Sequence, residues 1–297
     1  MPIIWEKKYM KRYVSPLRYP GGKLKVVDYI KLLYIVNDLC GGTYIEPYAG
    51  GASVALSLLF SKFASRIKIN DIDRAIYAFW YSVLNETDEL CKKITDTPVT
   101  MENWQKQHEL QKHKEEINLL ELGFSTFFLN RTNRSGILNG GVIGGKGQQS
   151  VYKMDVRYNK SDLIERIERV AKYAALIDLT SLDAVDLIKQ YKCTPTAKTF
   201  CYLDPPYYIK GQDLYLNYYH DADHKAIAEA IKMFKGEWII SYDAVDFISE
   251  LYHGYRQKEY CLNYSAGNPS KGREIMVYSN GLILPEADIV KTKKKRV

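Results

Sequence analysis

"GGTYIEPYAGGASVALSLLF", residues 41–60, places a short apolar strand, a Gly-rich turn and an apolar helix in direct succession. The next stretch, "SRIKINDID" at 65–73, predicts a second strand that ends in acidic residues, and the helical "RAIYAFWYSVL" follows it. A doubly wound nucleotide-binding sheet begins with this order of strand, Gly-rich turn, helix and strand. We therefore predict an α/β fold of the Rossmann-like kind.

The rest of the chain alternates between regular and irregular segments. Residues 24–36 predict a buried helix, and further strands are predicted in "ALIDLT", "TFCYLD", "GEWIISYD", "RQKEYCLNY" and "REIMVYS". Residues 96–160 break this pattern, because their first part is polar and helical and residues 127–150 are rich in Gly, Asn and Arg, with no apolar period long enough for a core element. We predict a core of residues 1–95 and 161–297, and a mostly helical insertion, 96–160, that carries a binding loop.

Composition limits the classes of function. The 297 residues are 46% hydrophobic and 26% charged, without an apolar run of membrane-spanning length or a signal-peptide pattern, so we expect a cytoplasmic protein. The 5 cysteines form no CxxC pair, and we expect reduced thiols and no metal site. A net charge of +7 suits a polyanionic partner without requiring one, and 25 tyrosines supply faces that stack on bases or fill a core.

"CYLDPPYYIKG", residues 201–211, places an acid, two prolines and two tyrosines directly after an apolar strand. Each proline fixes φ and lacks an N–H group, so Asp204, Pro205 and Pro206 form a stiff arm. The arm presents the Asp204 carboxylate and the Pro205 carbonyl as acceptors, and Tyr207 adds a rigid aromatic face. This combination fits an amino group on a planar base, at the strand end where an open α/β sheet binds its ligand. A proline turn with a buried tyrosine is the alternative.

The turn after the first strand is a second candidate site. Gly50 and Gly51 let a ligand approach the backbone, and Glu46 can accept from a cofactor amine or a ribose hydroxyl. The GxGxxG pattern is missing, so a dinucleotide is not implied, and a tight β–α turn explains the glycines equally well. Asp71 and Asp73, at the end of the second strand, favour a ligand site because an acid there takes ribose hydroxyls.

Shorter motifs carry weaker signals. "LRYPGGK" at 17–23 places Tyr19 and Lys23 around a Pro-Gly-Gly turn, which is either a plain loop or a helix start suited to an anionic group such as a carboxylate. "GGVIGGKG" at 140–147 lacks the hydroxyl residue and the preceding strand of an ATP-binding loop. "HDADH" at 220–224 predicts a helix start capped by Asp rather than a metal site, and the tail "KTKKKRV" predicts a solvated charge run.

In its ordered motifs the sequence resembles the Dam-like (D12) class of DNA adenine N6-methyltransferases. The resemblance runs from "LRYPGGK" through "YIEPYAGGASV", "INDID", "FFLNRTNRSGIL" and "YLDPPYY" to "GREIMVYSN", which is almost the whole chain. It implies S-adenosylmethionine as methyl donor, double-stranded DNA as partner and an adenine flipped out of the duplex. It also implies cofactor contacts from Tyr19, Lys23, Glu46, Gly50, Asp71 and Asp204, and a catalytic group of Asp204, Pro205, Pro206 and Tyr207.

The resemblance further implies that "NRTNRSGILN", residues 130–139, is a hairpin that enters the DNA, with DNA contacts from Arg131, Arg134, Ser135 and Asn139. The chain departs from the family pattern here, because Arg134 stands where an aromatic wedge is usual and Asn139 stands where an Arg usually reads guanine. Arg favours guanine edges and Asn favours adenine edges, so we expect a target other than GATC. Contacts to phosphates alone are the alternative for Arg131 and Arg134.

Two rival functions stay open from the sequence. N4-methylation of cytosine involves a similar amine, and a catalytically inactive relative would keep the fold as a DNA-binding protein. The intact Asp-Pro-Pro-Tyr group disfavours the second rival. We also expect a monomer or a weak dimer without membrane association, and a cognate restriction endonuclease is a candidate partner.

Overall fold

The structure, a computed structural model, describes residues 14–18, 23–192, 198–209, 219–264 and 270–290. The predictions for Tyr19 and for the tail 291–297 therefore lie outside the described residues. None of the helices in this part of the chain combines the length and the apolar character that crossing a membrane requires.

The described chain contains both helices and strands, and every strand predicted from the sequence is present. A short 3-10 turn (Lys23–Val26) precedes the helices, which are α1 (Val27–Val36), α2 (Ser53–Phe60), α3 (Arg74–Asn85), α4 (Thr87–Asp96), α5 (Met101–Lys112), α6 (Leu119–Thr132), α7 (Lys160–Ala171), α8 (Ala184–Lys189), α9 (Asp221–Lys232) and α10 (Asp246–Leu251). The strands are β1 (Gly42–Glu46), β2 (Ala64–Asn70), β3 (Ile177–Thr180), β4 (Thr199–Leu203), β5 (Glu237–Asp243), β6 (Arg256–Tyr264) and β7 (Ser270–Tyr278).

The strands form one seven-stranded sheet in the order β3-β2-β1-β4-β5-β7-β6. Strands β1 to β5 pair in parallel, whereas β7 runs antiparallel to both β5 and β6. The strand order reverses between β1 and β4, so the loops that leave these strands diverge and open a crevice at their carboxyl ends. The predicted Rossmann-like α/β fold is confirmed.

The central strands are buried on both faces, as expected for parallel strands between helical layers. In β4, Phe200 and Tyr202 belong to the same apolar cluster as residues of α1, α2 and α3. The alternate residues Cys201 and Leu203 belong to a second cluster, which includes residues of α8, α9 and α10. Because β4 is held in this way on both sides, the position of the residue that follows it is set by a rigid part of the protein.

The predicted insertion, 96–160, shares the core of the sheet domain. Helix α6 packs on α3, where the rings of Phe79 and Phe127 stack at 6.0 Å with 9° between their planes. The prediction that 127–150 contains no core element is wrong for its first residues, because "FFL" at 127–129 lies within α6 and is buried. Helix α6 is buried on all sides from Leu122 onward, so it shows no amphipathic period that would mark it as a helix.

The motif "HDADH" is a helix start, as the acid-capping interpretation predicts. Helix α9 begins at Asp221, and the backbone N–H of His220 donates to Asp223 Oδ2 at 2.8 Å. His224 is buried, and its Nδ1 lies 3.2 Å from the Tyr242 hydroxyl. The start of α9 therefore lies close to β5, next to the candidate site.

Candidate active site

Acidic side chains collect at the carboxyl ends of the central strands. Glu46 ends β1 and Asp243 ends β5, while Asp204 directly follows β4 and Asp71 directly follows β2. Burial raises the pKa of Glu46 well above its usual range, and the charges of Asp204 and Asp71 add to the effect. These residues lie at the crevice that the sheet order opens, and they define the candidate active site.

Asp204 is held through one carboxylate oxygen. Its Oδ1 accepts a hydrogen bond from the Ser241 hydroxyl at 2.8 Å and lies 3.2 Å from the ammonium nitrogen of Lys23. Among the described residues, the contacts of Asp204 all involve Oδ1, and its side chain is 25% exposed. Burial raises the pKa of Asp204, and the opposing charge of Lys23 reduces this effect. The carboxylate is thus fixed in position and still open to the crevice.

The ammonium group of Lys23 is buried between two carboxylates. It lies 3.2 Å from Asp204 Oδ1 and 3.4 Å from Glu274 Oε2, and it donates to the Tyr207 hydroxyl. Burial acts to lower the pKa of Lys23, but the charges of Asp204 and Glu274 outweigh burial, and the pKa is raised. Lys23, a predicted cofactor residue, is therefore in direct contact with Asp204 and Tyr207, two of the predicted catalytic residues.

Glu274 completes this network from β7. It is fully buried, and its Oε2 accepts from the Tyr260 hydroxyl at 2.6 Å as well as lying near Lys23. A buried acid is costly unless it is paired and hydrogen-bonded, and here it is both. Glu274 thus stabilises the charge of Lys23, which in turn holds Asp204.

The arm after β4 is held by β5. Asp243 accepts hydrogen bonds from two backbone N–H groups, from Tyr208 to Oδ1 and from Ile209 to Oδ2, both at 2.8 Å. The Tyr208 ring stacks on Phe247 with 4.7 Å between ring centres and 23° between planes. Tyr207 instead reaches Lys23 with its hydroxyl. The two tyrosines of the motif therefore have different surroundings: Tyr207 contacts Lys23, which also pairs with Asp204, and Tyr208 packs against α10.

The turn after β1 is bound to the acids around it. The backbone N–H of Gly50 donates to Asp71 Oδ2 at 2.9 Å, and that of Asp73 donates to Asp71 Oδ1 at 3.0 Å. Glu46 Oε2 accepts from the backbone N–H of Ala55 at 3.2 Å. Gly50 has a φ of 44°, in the left-handed region that glycine adopts without strain. Burial raises the pKa of Asp71 to about 7.

These residues fit a cofactor that carries hydroxyl groups, an amine and a positive charge. Each carboxylate oxygen has two acceptor sites, so Glu46 and Asp71 can accept from a ligand while they keep their backbone partners. A cationic ligand also favours the ionised form of carboxyl groups whose pKa is raised by burial. S-adenosylmethionine has ribose hydroxyls, an amino group and a positively charged sulfur, and therefore matches the site.

The predicted DNA-binding residues differ in exposure. Arg134 and Asn139 are exposed and Ser135 is half-buried. Arg131 is only 6% exposed, and its guanidinium donates to the carbonyl of Pro16. Burial lowers the pKa of Arg131 to about 9, with the charges of neighbouring arginines adding to the effect. Direct contact with DNA would require this group to leave its buried position, so we do not retain Arg131 in the proposed interface.

The segment 133–142 forms a closed loop after α6. An antiparallel bridge joins Asn133 to Val142, and the Arg134 N–H donates to the Gly141 carbonyl at 2.9 Å. The buried Asn130 accepts from the Arg18 N–H at 2.8 Å and donates to the Gly136 carbonyl at 2.9 Å. The loop that exposes Arg134 is therefore attached to the segment 14–18, which precedes the "PGGK" motif.

Sequence reasoning did not single out Ser241, Asp243 or Glu274 as functional residues. Each is a polar side chain buried in an otherwise apolar strand, within "WIISYD" or "REIMVYS". Buried polar groups almost always have a specific partner, so their presence in such strands was a usable signal.

One family model matches most of the chain. The family described as D12 class N6 adenine-specific DNA methyltransferase matches residues 19–264. The Type II methyltransferase M.CviBI of Paramecium bursaria Chlorella virus NC1A is 26% identical over 256 residues, which cover 84% of this chain and 90% of that protein. The Type II methyltransferase M.MjaIII of Methanocaldococcus jannaschii is 23% identical over 270 residues, which cover 82% of this chain and 89% of that protein.

Two solved structures are distantly similar to the chain. A SAM-dependent methyltransferase from Agrobacterium tumefaciens has 7% identity and a TM-score of 0.40, covering 86% of this chain and 62% of that chain. Precorrin-6y C5,15-methyltransferase from Geobacter metallireducens has 12% identity and a TM-score of 0.31, and the match covers 84% of this chain and 88% of that chain. The family match includes both the Gly-rich turn and the Asp-Pro-Pro-Tyr arm. The chain belongs to the D12 class of N6 adenine-specific DNA methyltransferases, and its methyl donor is S-adenosylmethionine.

Proposed function

We propose that the residues at this crevice methylate N6 of an adenine that has left the base stack of double-stranded DNA. The observation that carries the proposal is the fixed arm of residues 204–207 at the end of β4. Ser241 and Lys23 hold the carboxylate of Asp204 on one oxygen, and the side chain stays 25% exposed. A base in a duplex cannot reach a carboxylate in such a crevice without flipping out of the stack.

The arm suits an aromatic amine as the reacting group. The amine is a poor nucleophile because its lone pair is delocalised into the ring. Asp204 and the Pro205 carbonyl, by accepting from both N–H groups, favour a tetrahedral nitrogen whose lone pair points out of the ring plane. The raised pKa of Asp204 suits it to accept the proton that N6 loses. S-adenosylmethionine supplies, when bound, a methyl group on a positively charged sulfur, and the protein contributes orientation and electrostatics.

Tyr207 and Lys23 support this geometry from the other side of the arm. Tyr207 is half-buried and its hydroxyl is fixed by Lys23, so its ring is held in one orientation and can stack on the flipped base. Lys23 keeps a positive charge beside Asp204, which holds the carboxylate in its position. Glu46, Asp71 and the backbone at Gly50 bind the cofactor.

Recognition of the DNA sequence is assigned to the region 96–160. The exposed residues Arg134 and Asn139, with Ser135 between them, lie on the closed loop after α6 and are available for base contacts. Their side-chain types differ from those of the family pattern, which supports a target other than GATC.

The two relatives are named Type II methyltransferases, which supports a cognate restriction endonuclease as a partner. We propose a cytoplasmic monomer or weak dimer.

The proposal is tested by single-turnover transfer of a labelled methyl group to mixed-sequence duplex DNA. Asp204→Ala removes one of the two acceptors, so transfer should fall below detection, while DNA affinity should stay within about threefold because phosphate contacts are distributed over the protein. Asp178→Asn is the control, since Asp178 lies on β3 and pairs with Arg66 on an exposed surface. Near-normal turnover by Asp204→Ala would contradict the proposed mechanism.

A further inference from the structure

Asp243 is a buried carboxylate whose two oxygens are both used by the backbone of the catalytic arm. Its side chain is 5% exposed, and it accepts from the N–H groups of Tyr208 and Ile209 at 2.8 Å each. Hydrogen bonds to an ionised acceptor are roughly twice as strong as those between neutral groups. Two such bonds to consecutive residues fix both the position and the direction of the chain at that point.

The prolines limit the ways in which the arm can be fastened to the sheet. Pro205 and Pro206 have no N–H group, so neither can fasten the arm to the sheet by donating a hydrogen bond. The first amides that can do so are those of residues 207, 208 and 209, and Asp243 binds two of them. The arm is stiff internally, but its direction relative to the sheet depends on the contacts at its two ends.

Strand β5 holds both ends of the arm. Ser241 donates to the carboxylate of Asp204 at the beginning, and Asp243 accepts from Tyr208 and Ile209 at the end. Ser241 and Asp243 are two positions apart on one strand, so their side chains lie on the same face of the sheet. The spacing between the two anchors is therefore set by the geometry of a buried strand.

A second contact keeps the end of the arm in place. The Tyr208 ring stacks on Phe247 of α10 and lies 5.5 Å from the ring of the buried His224. Its hydroxyl donates to Asp221 at 3.0 Å. Tyr208 is thus committed to the scaffold, while its neighbour Tyr207 contacts Lys23 in the catalytic network.

We propose that Asp243 is a positioning residue for methyl transfer. By binding the amides of Tyr208 and Ile209, it directs the Pro205 carbonyl and the Tyr207 ring toward the base that Asp204 engages. This inference rests on the proposed function of the arm. Because a misplacement of about 1 Å costs about a hundredfold in rate, loss of the anchor affects turnover more than it affects binding.

Two variants remove the hydrogen bonds of Asp243 to different extents. Asp243→Asn keeps one acceptor oxygen and nearly the same size, whereas Asp243→Ala removes both acceptors. We expect kcat to fall about tenfold for Asn and about a hundredfold for Ala, with the Kd values for S-adenosylmethionine and DNA within about threefold of the wild type. Asp178→Asn, which makes the same change on an exposed strand, is the control and keeps wild-type kcat.

Amide hydrogen exchange supplies a readout that does not depend on activity. The amides of Tyr208 and Ile209 should exchange at least about tenfold faster in Asp243→Ala, and one of them faster in Asp243→Asn, while the amides of β4 and β5 keep their protection. Unchanged exchange at both amides, or faster exchange with kcat within twofold of wild type, would overturn the inference. If the wild type shows the protected amides but transfers no methyl group, the proposed function fails instead.

Discussion

Asp71 has two partners that favour its charged form and an environment that opposes it. The backbone amides of Gly50 and Asp73 donate to its carboxylate, yet burial raises its pKa from 3.8 to about 7. Between about pH 4 and pH 7 the folded protein therefore holds a proton that the unfolded chain has already lost. The stability contributed by this proton is present at low pH and is lost as the pH rises through that window.

Binding of S-adenosylmethionine should depend on pH through Asp71. Ribose hydroxyls donate to the ionised carboxylate, so we expect the affinity to rise about tenfold between pH 6 and pH 8, as the carboxyl group ionises around pH 7. Calorimetry of the wild type and Asp71→Asn at matched pH values is the measurement, because the ratio of the two affinities cancels the titration of the ligand. A ratio that does not change with pH would remove Asp71 from the cofactor site.

At the scale of elements, the contact between α3 and α6 joins the sheet domain to the predicted insertion, 96–160. The two helices approach so closely that a Cβ at Gly123 would lie 2.6 Å from the Ala78 carbonyl oxygen and 2.4 Å from the Ser82 hydroxyl. The carbonyl oxygen is part of a helix backbone and has no rotamer by which to move away. Glycine at this position is therefore required by packing.

Gly123→Ala should destabilise the protein although alanine is the better helix former. Helix propensity favours Ala over Gly by about 1 kcal/mol. Overpacking costs about 1–3 kcal/mol, and because the contact is with backbone we expect a cost at the upper end of that range. Urea unfolding should show a net decrease in the free energy of unfolding. Gly147→Ala is the control, because its Cβ would meet no atom closer than 3.9 Å. A Gly123→Ala protein more stable than the wild type would contradict the packing argument.

The loop after α6 carries a prediction about sequence recognition. Arg134 and Asn139 are exposed, so Arg134→Ala and Asn139→Ala should leave the fold intact and change the preference at one position of the methylated motif each. Methylome sequencing of DNA modified by each variant measures this preference. If both variants methylate the unchanged motif more weakly at every site, the two side chains contact the phosphate backbone rather than the bases.

For the whole molecule, the positions of the strands along the chain were predictable and the contacts between distant segments were not. Strands β1, β4 and β5 are mostly apolar runs that end at or just before an acidic residue, and the Gly-rich turn between β1 and α2 identifies the crevice. The contact between Lys23 and Tyr207 joins residues 184 positions apart, and local sequence patterns contain no information on such pairing. The burial of Arg131 could not be predicted either, because α6 is buried on all sides from Leu122 onward and its polar and apolar residues do not mark an exposed face.

The methylated nucleoside identifies the reaction that the whole enzyme catalyses. The protein is incubated with methyl-labelled S-adenosylmethionine and mixed-sequence duplex DNA, and the DNA is digested to nucleosides for mass spectrometry. We predict N6-methyldeoxyadenosine as the labelled product of the wild type, and no labelled nucleoside from Asp204→Ala. Labelled N4-methyldeoxycytidine, or no labelled nucleoside from a wild-type protein that binds both the cofactor and DNA, would contradict adenine methylation at this site.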